Sequence, residues 1–162
     1  MKKTVYLLLV LMAVTVSCDK IETEIAKDHV ESEKNGTMEN SDTLFYKGTL
    51  TANASSGDCI TPDTRISLNY TDKTDSVSIS IYKAKLANGM PAMDIVIPGI
   101  SIRKEGEITV MTASSSIPLA MGGQPFPRYT VTHFSGNMES DSILFSLLFG
   151  STSTMYGGKA TH

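Results

Sequence analysis

Val77-Ser78-Ile79-Ser80-Ile81-Tyr82 alternates β-branched apolar residues with small or polar ones. A period of two puts Val77, Ile79 and Ile81 on one face of an extended strand and their neighbours on the other. The same alternation spreads outward from this stretch. Before it, Leu44, Tyr46, Gly48, Leu50 and Ala52 alternate with Phe45, Lys47, Thr49 and Thr51, and Ile66, Leu68 and Tyr70 alternate with Ser67 and Asn69. After it come Ile95 with Ile97, Ile100 with Ile102, Ile108 with Val110, Tyr129 with Val131, and then Ile143, Phe145, Leu147 and Phe149. Turn chemistry separates the runs. Thr71–Asp75 links two alternating runs, Lys104–Glu107 and Asn137–Asp141 read as hairpins, Pro98-Gly99 as a type II turn, and Asn88-Gly89 and Gly122–Pro125 as longer loops. No stretch of the domain has convincing helical periodicity. The expected fold is all-β, an antiparallel meander of about eight short strands, because short links pair sequence neighbours. Closure into a barrel is expected because these Ile-rich strands would otherwise expose aggregation-prone edges.

The N-terminus has a different character. Lys2 and Lys3 precede an apolar run from Val5 to Val16, then Ser17 and Cys18. A basic start, a short apolar core and a small residue read as a secretory signal peptide over residues 1–17. The run falls short of the roughly 20 apolar residues that span a bilayer. Thr15-Val16-Ser17-Cys18 resembles, loosely, the lipobox of bacterial lipoproteins, which implies acylation of Cys18. The competing reading is ordinary cleavage near Ser17, with Cys18 left as a thiol. Two or three acyl chains, at about 0.8 kcal/mol per buried methylene, anchor stably.

Residues 18–42 read as a flexible acidic tether, with eight acidic residues against three lysines from Asp19 to Asp42 and no aromatic residue. Asp19, Glu22 and Glu24 resemble surface-export signals of Bacteroidetes lipoproteins. The expected location is therefore the cell envelope, with the protein lipid-anchored to the outer membrane at its surface or periplasmic face. The domain proper is expected over residues 43–162, with nine acidic and nine basic residues in a chain of net charge −3. No basic face follows, which argues against a nucleic-acid partner. With Cys18 acylated, Cys59 has no intramolecular partner and reads as a small buried hydrophobe.

Three segments carry a family resemblance: Phe45-Tyr46-Lys47-Gly48-Thr49-Leu50-Thr51, Gly89-Met90-Pro91-Ala92-Met93-Asp94-Ile95-Val96-Ile97-Pro98-Gly99-Ile100, and His133-Phe134-Ser135-Gly136-Asn137 before the strand Ser142–Gly150. Their order resembles the calycin-like lipoproteins of gut Bacteroidetes, over nearly all of Thr43–His162. The resemblance implies a lipocalin-like β-barrel in the envelope. By fold analogy alone it implies a small-ligand role, since a fold does not fix a function. It transfers no catalytic or binding residue.

Catalysis needs a constellation, and the sequence offers none, so an enzyme is not expected. His29, His133 and His162 lack the close spacing of a zinc site. No serine sits in a nucleophile-elbow glycine pattern, and Gly122-Gly123 is not followed by the residues of a phosphate loop. No metal or cofactor is expected. The domain carboxylates fall mostly in turns, except Asp94, which is placed to cap or pair near a barrel mouth. Six methionines lie in the domain: Met90, Met93, Met111, Met121, Met138 and Met155. Flexible thioethers either fill irregular core gaps or line an adaptable apolar cavity. Met90, Met93, Met111 and Asp94 are the ligand-binding candidates. Asp42-Thr43-Leu44, Asp75-Ser76-Val77 and Asp141-Ser142-Ile143 match a short Bacteroidetes O-glycosylation pattern, which makes Thr43, Ser76 and Ser142 candidate sugar sites.

Two functions remain open from sequence. One is a lipid-anchored carrier of a small apolar or amphipathic molecule inside the barrel. The other is a structural or interaction lipoprotein with a packed barrel and a working outer surface. Leu144 and Leu148, on the second face of an already apolar strand, point to the latter. Interior volume discriminates, because a barrel of about eight strands either is just filled by side chains or holds one small ligand.

Overall fold

Alternation of buried and solvated side chains produces ten strands in the computed structural model, which describes residues 43–71, 75–120 and 122–161. The signal peptide, Cys18 and the tether through residue 42 lie outside the described residues, as do Asp72, Lys73, Thr74, Met121 and His162. In chain order the strands are β1 (Thr43–Ala54), β2 (Gly57–Tyr70), β3 (Ser76–Ala84), β4 (Met93–Glu105), β5 (Ile108–Ser116), β6 (Leu119–Ala120), β7 (Gln124–Pro125), β8 (Val131–Glu139), β9 (Ser142–Phe149) and β10 (Thr152–Ala160). Every long strand pairs antiparallel with its neighbours in sequence, in the order β3-β2-β1-β10-β9-β8-β5-β4. Pairing of β3 with β4 closes the ring. The result is an up-and-down barrel of eight strands, with β6 and β7 as a small hairpin on β4. A single 3-10 turn, Pro127–Tyr129, is the one helical element among the described residues. None of those residues forms a helix long and apolar enough to cross a membrane.

The strands are long, not short, and bulges bend them around the ring. Four places carry two residues opposite one. Pro62 and Asp63 face Thr49, Tyr82 and Lys83 face Asp94, Pro98 and Gly99 face Ser78, and His133 and Phe134 face Leu147. Each bulge holds one residue at positive φ: Asp63, Lys83 and His133 at 54° and Gly99 at 70°. A bulge adds a residue to one strand, increases its twist, and moves the inward set from odd to even positions or back. Pro98-Gly99 is therefore not a turn: β4 runs straight through it. Proline has no N–H for the ladder, and the hydroxyl of Ser116 donates to the Pro98 carbonyl at 2.7 Å across the interruption.

Three further differences from the sequence reading have local causes. Gly57–Arg65 is strand, but its alternation is hidden by the bulge at Pro62-Asp63. β10 is strand although only Met155 and Tyr156 are large and apolar there, and it pairs with both β9 and β1. Tyr129 belongs to the 3-10 turn and not to a strand.

The barrel interior is filled. Ile66, Leu68, Val77, Ile79, Ile81, Ile95, Ile97 and Ile100 supply one side from β2, β3 and β4. Val131, Phe134, Ile143, Phe145, Leu147, Phe149 and Tyr156 supply the other from β8, β9 and β10. The rings of Phe134, Phe145 and Tyr156 stack in series, with centroids 5.3 and 5.2 Å apart. Tyr46 from β1 reaches across to β8, where its hydroxyl donates to the Met138 sulfur at 2.9 Å. Each such side chain contributes about 1.5–3 kcal/mol by leaving water.

Candidate functional site

Of the sequence-based ligand candidates, one lies in the core, two at one end of the barrel and one on the wall. Met111 is fully buried within the core. Met90 and Met93 are half-buried at one end of the barrel, where the Tyr129 hydroxyl donates to the Met90 sulfur at 3.5 Å. Asp94 is exposed on the wall, and its Oδ1 accepts the amide N–H of Lys83 at 2.8 Å. That bond secures the β3 bulge, since Asp94 is the single residue facing Tyr82 and Lys83. Cys59 is buried and free. His133 is exposed at the β8 bulge. Among the sugar candidates, the Thr43 hydroxyl lies 3.1 Å from Asn69 Oδ1 and the Ser76 hydroxyl 2.7 Å from that of Thr71. Ser142 is half-buried at the start of β9. Leu144 is 55% exposed, so the outward face of β9 lies open to solvent.

One concave feature with chemistry around it lies in the wall, where two strands part. β2 and β3 pair from Ile66–Ile81 to Tyr70–Val77, and then diverge. Beyond that point β2 follows β1 and β3 follows β4, each turned by its own bulge. The wedge between them is a cleft of about 400 Å³, lined by Thr61, Pro62, Asp63, Thr64, Arg65, Tyr82, Lys83 and Asp94. Asn88, from the loop after β3, crosses to β2 and donates its side-chain N–H to the Asp58 carbonyl at 3.4 Å. Of the ligand-binding candidates Met90, Met93, Met111 and Asp94, the cleft contains Asp94.

The rim of this cleft is organised. The Arg65 guanidinium stands over the rings of Phe45 and Tyr82, at 5.7 and 6.0 Å from their centroids. The Tyr82 and Ser67 hydroxyls are hydrogen-bonded at 3.0 Å. Ser67 lies between inward-facing Ile66 and Leu68, so it points outward, yet it is only 1% exposed. An aromatic and cationic shelf therefore covers the outer wall beside the cleft. Asp63 is paired with Lys47, whose Nζ lies 2.9 Å from its Oδ1. Among the described residues, the buried Thr61 hydroxyl in the lining has no hydrogen-bond partner. Sequence reading missed this site because its members lie on three strands and only register brings them together. The one signal was the parity change in the apolar alternation between Ile81 and Ala84.

Other hollows lie on the wall among the described residues. One lies beside the β4–β5 and β8–β9 turns, lined by Lys104, Glu105, Glu107 and Glu139 among others. The other runs along β4 and β5. Among the described residues, no three His, Cys, Asp or Glu side chains group to hold a metal ion. No protein-family model matches the chain, and neither a curated protein nor a solved structure matches it.

Proposed function

We propose that this protein is a cell-envelope lipoprotein, anchored to the outer membrane by acyl chains on Cys18, whose packed barrel is a scaffold for binding at its outer wall. The observation that carries the binding half is a pair. The interior is occupied by Tyr46, Phe134, Phe145, Phe149, Tyr156 and the isoleucines, while the wall opens between β2 and β3 into a cleft with a built rim. Side chains packed through an eight-stranded barrel support a surface site over a lumen site. The anchoring half is supported by the cysteine placed directly after the apolar run and by the resemblance to calycin-like lipoproteins. We read the protein as a binder and not as an enzyme.

The anchoring test is Cys18→Ala. The variant is expected to lose its acyl chains and move from the detergent phase to the soluble phase; unchanged partitioning would sink the anchor. The binding test is native mass spectrometry of protein purified from its own membranes. A retained small molecule should be lost on Tyr82→Ala and kept on Met90→Lys.

A second reading places an apolar ligand at the end of the barrel, against Met90 and Met93. It is favoured by the half-buried position of both thioethers and by the Tyr129 contact. Saturable micromolar binding of a fatty acid, about −8 kcal/mol, that is abolished by Met90→Lys but indifferent to Tyr82→Ala would select it.

A further inference from the structure

We propose that the cleft between β2 and β3 binds an oxyanion, the carboxylate or phosphate group of a small molecule, and that Arg65 is the residue that recognises it. The inference rests on the outer-wall reading and names its ligand chemistry.

Charge is the first support. Asp63 is paired with the Lys47 ammonium, and Asp94, which accepts the neutral Lys83 amide, keeps its charge, so Arg65 and Lys83 leave the lining with a positive excess. Among the described residues, neither Arg65 nor Lys83 is within ion-pair distance of a carboxylate. Two uncommitted cations therefore line one concavity. Pre-organisation is the second. The Phe45 and Tyr82 rings hold the guanidinium at the cleft by cation–π contact, and a guanidinium can bind a carboxylate or phosphate bidentately. Tyr82 is itself held by Ser67, so less side-chain freedom is lost on binding. The third is Thr61, whose buried hydroxyl is a donor with no acceptor among the described residues.

Strand addition fits this wedge poorly. Asn88 bridges the wedge to the Asp58 carbonyl of β2, so an added strand would have to displace it. A volume of about 400 Å³ suits a small molecule.

The test is a titration of the protein with inorganic phosphate and with citrate at constant ionic strength, read by amide chemical shifts. Saturable shifts are expected at Thr61, Asp63, Arg65, Tyr82 and Lys83, with Kd on the order of millimolar for these minimal probes. R65Q should weaken binding about tenfold, the size of one lost charge-assisted hydrogen bond. R103Q, which removes an exposed arginine paired with Glu105, should change nothing. T61V should weaken binding while raising Tm, a combination that a merely structural hydroxyl does not give. Absence of saturable shifts, or equal losses in R65Q and R103Q, overturns the oxyanion. If glucose moves these amides where phosphate and citrate do not, the outer-wall reading stands and the oxyanion falls. If no probe moves them, both fall. Phosphatidylglycerol and phosphatidylcholine vesicles separate the two sources of phosphate: R65Q-sensitive cosedimentation with the former identifies a lipid headgroup, and its absence alongside saturable phosphate binding identifies a free solute.

Discussion

Asp63, Lys83 and His133 share a backbone state that side chains rarely adopt, with φ at 54°. Each is the extra residue of a bulge, so ring closure holds it there against a local cost of roughly 1–2 kcal/mol. At two of the three positions a neighbouring group relieves the arrangement: Asp94 takes the Lys83 amide, and Lys47 takes the Asp63 carboxylate. Among the described residues His133 has no side-chain hydrogen bond or ion pair, which makes it the cleanest probe. His133→Val raises intrinsic β propensity and yet is expected to destabilise by roughly 1–2 kcal/mol, because a β-branched residue fits positive φ worst. His133→Gly is expected to be neutral or better. Urea denaturation of the three proteins decides, and a stabilising valine would contradict the bulge assignment.

At the scale of elements, the decisive contact is between β1 and β10, the two ends of the described chain. Gly48 faces Gly158 there, and a Cβ on Gly48 would overlap the carbonyl oxygen of Gly157 and the Cα of Gly158. The overlap is with backbone, which cannot rotate away. Gly48→Ala is therefore expected to cost about 3 kcal/mol, the upper end of overpacking, and to loosen this seam first. Hydrogen exchange should show β1 and β10 amides losing protection ahead of β3 and β4. Thr49→Ser, on the exposed face of the same strand, should stay within about 0.5 kcal/mol of the parent. Equal effects of the two substitutions would mean that the seam is not tightly packed.

The whole molecule responds to alkali through its interior tyrosines. Burial raises the Tyr156 hydroxyl well above its ordinary value of 10.0, and burial with the charge of nearby Tyr70 raises that of Tyr46. Below pH 10 both rings are protonated in folded and unfolded chains, so they add no pH dependence. Above it the unfolded chain releases these protons and the folded one keeps them, so the native state binds more protons and stability falls as pH rises. The barrel is expected to melt at progressively lower temperature above pH 10. Tyr156→Phe should flatten that decline while losing about 1 kcal/mol at neutral pH, from the hydrogen bond to the Thr64 carbonyl. A mutant with an unchanged alkaline slope would show that ionisation of this ring does not limit stability.

Class and connectivity were legible in the sequence because they depend on local rules. Alternation of Val77, Ile79 and Ile81 dictates a strand with one buried face, and Lys104–Glu107 and Asn137–Asp141 dictate neighbouring antiparallel pairs. An antiparallel β meander and its closure followed from those residues alone. Pairs such as Ile95 with Ile97 and Ile100 with Ile102 were visible, but a parity change has the same appearance whether it marks a turn or a bulge. Only the ladder against β3 shows that β4 continues through Pro98-Gly99. β10 was hidden because Gly157 and Gly158 carry no apolar signal; their role is the close approach to β1, a property of the partner strand. The cleft was hidden for the same reason. Phe45, Arg65, Tyr82 and Asp94 become neighbours through register and two bulges, and register is set by how the whole ring closes.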